Sequence, residues 1–283
     1  MNFININHNR QHSLLAIFLL ALFGLFQSVA KAADQLEINL AFFGGSENPP
    51  YLGVVQGINE ANLQGEFLGQ KYIGKNYPDS NLIPVKDPVP SAILADVDVE
   101  SLRILSQLNP GIPILNLSEE HNILRQLCLP NVLHVIPSDQ MKKDAEAQWK
   151  KKNPASKAIA QSWHPDFRKY AAKQLNNRFR EASLQRMDDY SYAGWAAVKI
   201  VADAVVRTQS TKPEVLLHFL KNDLVFDGNK GVKMSFRSTG QLRQLMLLVE
   251  DGKIVGEAPV VGVVDRHDLD SLGLEIEDSE GCQ

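Results

Sequence analysis

The apolar positions of this chain change period several times, and each change predicts an element. Trp195, Val198, Ala202 and Val205 recur at three- and four-residue steps, Ile200, Val201 and Ala204 widen that stripe, and Lys199, Asp203 and Arg207 fall outside it. The spacing predicts one amphipathic helix of about twenty residues, with Asp188 or Asp189 at its positive N-terminal end. Pro213 opens a shorter helix whose apolar positions are Val215, Leu216, Phe219 and Leu220. After Asp227-Gly228 the period falls to two, and QLRQLMLLVEDGKIV reads as a β-hairpin turning at Asp251-Gly252.

The first half alternates strands and helices. LEINLAF (36–42) is a first strand, FGGSENPP breaks it, Tyr51 to Asn62 is a helix ending near Gly65, and EFLGQKYIG is a second strand. Pro78, Pro84, Pro88 and Pro90 leave no helical period before Ser91, so the crossover there is extended. SAILADVD is a third strand, Val99 to Leu108 a helix stopped by Asn109-Pro110-Gly111, and IPILNLS a fourth strand. Glu119 to Leu127 reads as a helix capped by Ser118, NVLHVIP as a fifth strand, and Ser138 as the cap of a helix running to about Lys152. Five strands alternating with helices predict an α/β fold built on a mostly parallel five-stranded sheet with helices on both faces. Residues 141–186 read as helical, charged and strand-free, with breaks at Pro154 and His164-Pro165.

Composition adds a compartment. The 283 residues are 44% hydrophobic and 22% charged, a globular balance. Arg10, then thirteen apolar residues from Leu14 to Phe26, then Ala30-Lys31-Ala32 make a secretory leader over residues 1–32. Thirteen residues are short for a membrane span, the alternative being an uncleaved anchor. Removing Arg10 and Lys31 leaves 27 basic residues against 33 acidic ones, a net charge of −6, which argues against nucleic acid or anionic lipid as a partner. Two cysteines, Cys128 and Cys282, in an exported chain favour a disulfide over two unpaired thiols.

Ligands in open α/β sheets sit outside the carboxyl ends of the strands. The loops there are Gly44–Asn48, Asp96–Asp98 and Ser118–His121, so the candidate ligand-binding residues are Ser46, Glu47, Asp96, Asp98, Ser118, Glu119 and His121. The bland alternative is that Ser118 only caps its helix and Asp98 only starts another. Asp96, Asp98, Glu100, Glu119 and Glu120 offer hard oxygen ligands for Ca²⁺ or a lanthanide, although acids in a first helical turn are explained by the helix dipole alone. His121, His134 and His164 are dispersed, without the spacing of a zinc site. No G-x-S-x-G elbow, P-loop or early G-x-G-x-x-G is present, so no catalytic residue and no cofactor is assigned and the chain reads as a non-enzyme. The basic run at 150–153 beside Trp149 is a solvated helix face or a docking face. Trp163, Phe167, Tyr170, Leu175 and Phe179 cover the protein's own core or meet another protein.

The order helix, helix, Phe226-Asp227-Gly228-Asn229-Lys230-Gly231, strand, DG turn, strand resembles the C-terminal part of type I periplasmic binding proteins of the leucine/isoleucine/valine-binding class. GVKMSFRSTGQLRQ, QLNNRF and DLDSLGLEIEDSEGC look like the substrate-binding component of the ABC system associated with quinoprotein (PQQ-dependent) alcohol dehydrogenases. That resemblance resumes at Trp163-His164-Pro165 and implies that the sheet of the second lobe is missing. It also implies a cysteine pair, and a ligand contact from the loop that holds Ser118. The division it implies is a leader (1–32), a first α/β lobe (33–140), a helical remnant of lobe two (141–186) and an interdomain helix, second helix, hairpin and tail (187–283). The implied function is a periplasmic substrate-binding component of an ABC transporter serving PQQ-dependent alcohol oxidation. Its implied partners are a small-molecule ligand, an ABC permease and the quinoprotein dehydrogenase. The alternative is a non-transport partner, sensor or maturation factor of that system, with a lanthanide or Ca²⁺ role included.

Overall fold

The computed structural model describes residues 35–273 and Cys282; the leader expected over residues 1–32 falls outside the described residues, as does most of the tail after Gly273. β1 (Leu36–Phe43), β2 (Gln70–Tyr77), β3 (Ala92–Ala95), β4 (Ile114–Asn116) and β5 (Val132–His134) form one sheet in the order β2-β1-β3-β4-β5. All four of its pairings are parallel, running from Leu36↔Gln70 through Leu40↔Ala92 and Ile93↔Ile114 to Ile114↔Val132. The near-continuous apolar strands are what a sheet covered on both faces needs. The free edge of β5 is closed by the segment around Gln241, where His134 N–H donates to the Gly240 carbonyl and Leu242 N–H donates to that of His134.

The first helix, α1 (Pro49–Leu68), is longer than its sequence pattern predicts, ending at Gly69 in the left-handed region. β2 therefore starts at Gln70 rather than at Glu66. The crossover from β2 to β3 contains no helix, as the four prolines predict. α2 (Val99–Leu108) and α4 (Asp139–Lys152) begin at Asp98 and Ser138, whose side chains accept the Ser101 and Met141 N–H groups. The helix expected from Glu119 shrinks to α3 (Ile123–Gln126), capped by no side chain, so Ser118 caps nothing. Residues 118–122 are instead held as a loop by hydrogen bonds that a continuous helix would have to break.

α6 (Asp189–Thr208) is the twenty-residue helix read from the stripe, and a capping box joins Asp188 and Ser191 at its start. It packs along α1 and, with α5 (Ala172–Ser183) and α7 (Pro213–Asn222), covers one face of the sheet. Trp163, Phe167, Leu175 and Phe179 are buried in that same core, with Trp163 stacked on Tyr192 at 4.3 Å between ring centroids. Tyr170 stays half-exposed. On the other face, Leu102, Leu105 and Leu124 pack against Ile93, Ile114 and Val132.

The hairpin forms at the expected turn but is shorter at its start: β7 (Met246–Glu250) and β8 (Lys253–Ala258) turn at Asp251-Gly252, while Gln241 and Leu242 bridge instead to His134 and Phe236. The expectation that 141–186 holds no strand is wrong, because β6 (Ile159–Gln161) pairs antiparallel with β7 through Ile159↔Val249 and Gln161↔Leu247. The resulting sheet, β6-β7-β8, buries Met246 and Leu248 against Met141 and Ala145 of α4. A three-residue strand carries too little alternation to be read alone; its partner ladder creates it.

Candidate functional site

The chain leaves β1 toward β2 on one side and returns to β3 on the other, so the sheet switches direction between β1 and β3. Such a switch opens a crevice outside the carboxyl ends of the two strands. Gly44 ends β1 with φ +147°, and a Cβ there would overlap Asp96. This lets the 44–48 loop lie close against the loop after β3. Asn48 Nδ2 donates to Asp96 Oδ2 at 2.8 Å, joining the two loops. Ser46, Glu47 and Asn48 are exposed and Asp96 is half-buried, so four polar side chains share one rim.

Asp98 is drawn away from that rim. It caps α2, and the Ser101 N–H donating to its side chain at 2.8 Å holds its carboxyl below the usual range. The loop after β4 is likewise turned inward. Buried Asn116 accepts the Ser118 and Glu119 N–H groups through Oδ1 and donates to the Glu119 carbonyl at 2.7 Å. The Glu119 carboxylate accepts the His121 N–H, and His121 Nδ1 accepts the Ile123 N–H at 3.2 Å. The N–H groups of Ser118, Glu119, His121 and Ile123 are thus committed to the loop itself rather than free for a ligand.

Arg125 secures this arrangement from beneath. Fully buried, it donates to the carbonyls of Glu119, His121 and Ile136 and to Gln241 Oε1. Burial pushes its guanidinium down to about 9, opposed by Glu119, Glu120 and Asp139. His134, 3.0 Å from Asn116, is also fully enclosed, and burial with the nearby Arg125 charge keeps it well below the usual histidine range and neutral. Sequence reading missed Asn116 and Arg125; neither residue type nor spacing marks an arginine in LRQ as a core group.

A second polar cluster lies against the same loop. Glu120 accepts from Lys142 of α4 at 2.6 Å, and Lys142 stands 3.7 Å from Asp189 at the start of α6. Asp189 accepts the Trp163 N–H at 2.8 Å; burial raises its carboxyl, against the pull of that bond and of Lys142. Lys230, from the Phe-x-Gly-x-x-Gly segment, is wholly buried. It donates to Gln244 Oε1 and the Leu245 carbonyl and sits 4.7 Å over the Tyr192 ring. Burial brings its ammonium down to about 7. These groups bind α4, α6 and the 162–163 segment to the edge of the five-stranded sheet.

The five acids proposed as hard ligands do not converge. Glu100 pairs with Arg103, Glu120 with Lys142, and Asp96, Asp98 and Glu119 take the bonds given above. Among the described residues no group of three or more His, Cys, Asp or Glu is placed to hold a metal ion. Lys150 and Lys151 face solvent, whereas Lys152 donates to the Val261 carbonyl. The Cys128–Cys282 disulfide forms across 154 residues and ties the tail beside Arg125. Cavities lie elsewhere: one of about 830 Å³ between α1, α6 and residues 225–229, one of about 540 Å³ beside α7, and one of about 520 Å³ beside β8. No helix among the described residues is long and apolar enough to cross a membrane.

No family model matches the sequence, and no curated protein does. Solved structures do match. An ABC transporter substrate-binding protein from Desulfitobacterium hafniense aligns at a TM-score of 0.60 and 14% identity over 77% of this chain and 98% of its own. The branched-chain amino acid transporter substrate binding protein LivJ of Streptococcus pneumoniae, in complex with isoleucine, aligns at 0.60 and 10% over 79% and 98%. A solute binding protein of an ABC transporter from Rhodopseudomonas palustris, in complex with 3,4-dihydroxybenzoic acid, aligns at 0.63 and 10% over 80% and 95%. At these identities the likeness is one of fold, and the fold is that of the type I periplasmic binding proteins.

Proposed function

We propose that the protein is a periplasmic solute-binding component of an ABC transporter, exported by a cleaved leader and reduced in its second lobe. Residues 33–140 act as the ligand-bearing lobe, and 141–186 as the remnant of its twin. The observation that carries this reading is the rim at the β1/β3 switch, where Ser46, Glu47, Asn48 and Asp96 stand together outside the strand ends. Two carboxylates and a hydroxyl select a solute that donates hydrogen bonds, through an ammonium or hydroxyl group. Relatives of the same fold bind isoleucine and 3,4-dihydroxybenzoic acid, which carry such donors. Asp98, Ser118, Glu119 and His121 then shape the edge rather than contact the solute.

The wording of the sequence around 231–244 supports a finer assignment, to PQQ-dependent alcohol oxidation, with a permease and a quinoprotein dehydrogenase as partners. Calorimetry against leucine, short alcohols, aldehydes, carboxylates, PQQ and La³⁺ tests it. One small donor-bearing solute bound at micromolar concentration, and lost in Asp96→Asn, supports transport. A second reading, a non-transport partner of the dehydrogenase system, is favoured by the apolar ridge of Leu63, Phe67 and Leu68, of which Phe67 is 89% exposed. Silence toward every solute, with co-purification of a periplasmic quinoprotein, establishes that reading instead.

A further inference from the structure

The cavity beside β8 has a composition unlike the rest of the molecule. It measures about 520 Å³ and lies between the end of α4, the 166–169 segment and the edge strand β8. That volume lies within the range of small-molecule sites. Its apolar wall is Trp149 laid against Gly256, where any Cβ would overlap the indole ring, with Ile254 and Val260 beside it. The indole Nε1 donates to Ser156 Oγ at 2.9 Å, which fixes the ring.

Four cations, Lys152, Arg168, Lys169 and Arg266, line the cavity against two carboxylates, Asp166 and Glu257. Glu257 is shared by Lys169 and Arg266, and Asp166 pairs with Arg186 outside the cavity. Lys152 and Arg168 have no carboxylate partner among the described residues. Arg266 Nε is buried without a hydrogen-bond partner among the described residues, so the guanidinium holds donor capacity that those residues do not use. On a chain whose net charge is −4, this is a locally positive pocket with an aromatic wall.

We propose that this cavity is a second ligand site, separate from the β1/β3 rim, that takes a small organic anion. The apolar body of the ligand lies on Trp149, and its carboxylate meets the charges of Lys152, Arg168 and Arg266. Guanidinium and ammonium donors to a carboxylate are the stronger class of hydrogen bond, and they gain where an apolar wall excludes water.

Intrinsic fluorescence reads the site, because Trp163 and Trp195 are 1% and 4% exposed while Trp149 is half-buried at the cavity. The test titrates the protein with benzoate, hexanoate, benzyl alcohol and inorganic phosphate, and repeats the benzoate and hexanoate titrations by calorimetry. Expected are saturable binding of benzoate and hexanoate with a change in Trp149 emission, and weakening by added salt. Lys152→Gln and Arg168→Gln, both at exposed positions, each weaken binding about tenfold, the loss of one charge-assisted contact. Asp96→Asn leaves it unchanged. Benzyl alcohol bound as well as benzoate, phosphate bound as well as either organic anion, loss of binding in Asp96→Asn, or no heat and no emission change at millimolar probe would each overturn the proposal.

Discussion

Gly53 of α1 lies directly against the backbone carbonyl of Ser191 in the first turn of α6, with no room between them for a methyl group. Gly194 meets the Pro50 carbonyl in the same way from the other side. The two helices therefore approach backbone to backbone, and this contact fixes α6 across the sheet. An added Cβ would push the helices apart. Gly53→Ala is expected to cost roughly 2–3 kcal/mol, the upper part of the range for overpacking a closed contact. Urea unfolding at neutral pH measures it, and an unchanged midpoint would show that the helices separate freely.

Arg125 makes four hydrogen bonds from a fully buried position, three of them to backbone carbonyls. Arg125→Met removes all four bonds and leaves Gln241 Oε1 without its donor, while the Glu119, His121 and Ile136 carbonyls keep Asn116 Nδ2, the Leu124 N–H and Gln241 Nε2. It should destabilise by about 1–3 kcal/mol, the cost of one buried unsatisfied group. Arg125→Lys should recover only part of this, since one ammonium cannot span the fork geometry of a guanidinium. Full rescue by lysine, seen in the same unfolding experiment, would rule this account out.

Lys230 gives the stability a pH slope of known sign. Its folded-state value, near 7, lies below the 10.5 of a free lysine, so above pH 7 the unfolded chain holds the proton that the folded chain releases. Stability should accordingly rise with pH from about 7 toward 9. The rise is best read below pH 10, because Tyr192, held above its ordinary value by burial, works in the opposite direction there. Lys230→Met removes the titrating group and should flatten the slope between pH 7 and 9, whatever it does to the absolute midpoint. An equally steep slope in the variant would assign the effect to another group.

The disulfide closes a loop of 154 residues. By loop-closure entropy it stabilises the fold by about 5 kcal/mol. The double variant Cys128→Ser/Cys282→Ser should unfold at clearly lower denaturant than the oxidised protein and match its reduced form. Identical midpoints for oxidised and reduced protein would mean that the tail is held without the bond.

Most of the sheet was legible along the chain because its signals are local. Leu36 to Phe43 alternates before it turns fully apolar, Pro78 to Pro90 forbids a helix, and Asp251-Gly252 has the conformational freedom that a tight hairpin requires. The stripe through Trp195 and Val205 gave α6 its length because burial on one side repeats every turn. Ser118 misled for the same reason: a hydroxyl before two acids is a good local cap, but Asn116 and Arg125 claim that loop from positions that only folding brings near.

The sequence by itself determined the kinds of element and their order, since propensity, periodicity and turn chemistry act over a few residues. Tertiary structure alone decided which polar groups ended inside. Burial of Arg125, His134, Asp189 and Lys230 depends on partners far along the chain. It likewise decided that Ile159 to Gln161 would be a strand, because a ladder hydrogen bond belongs to two segments and is written in neither.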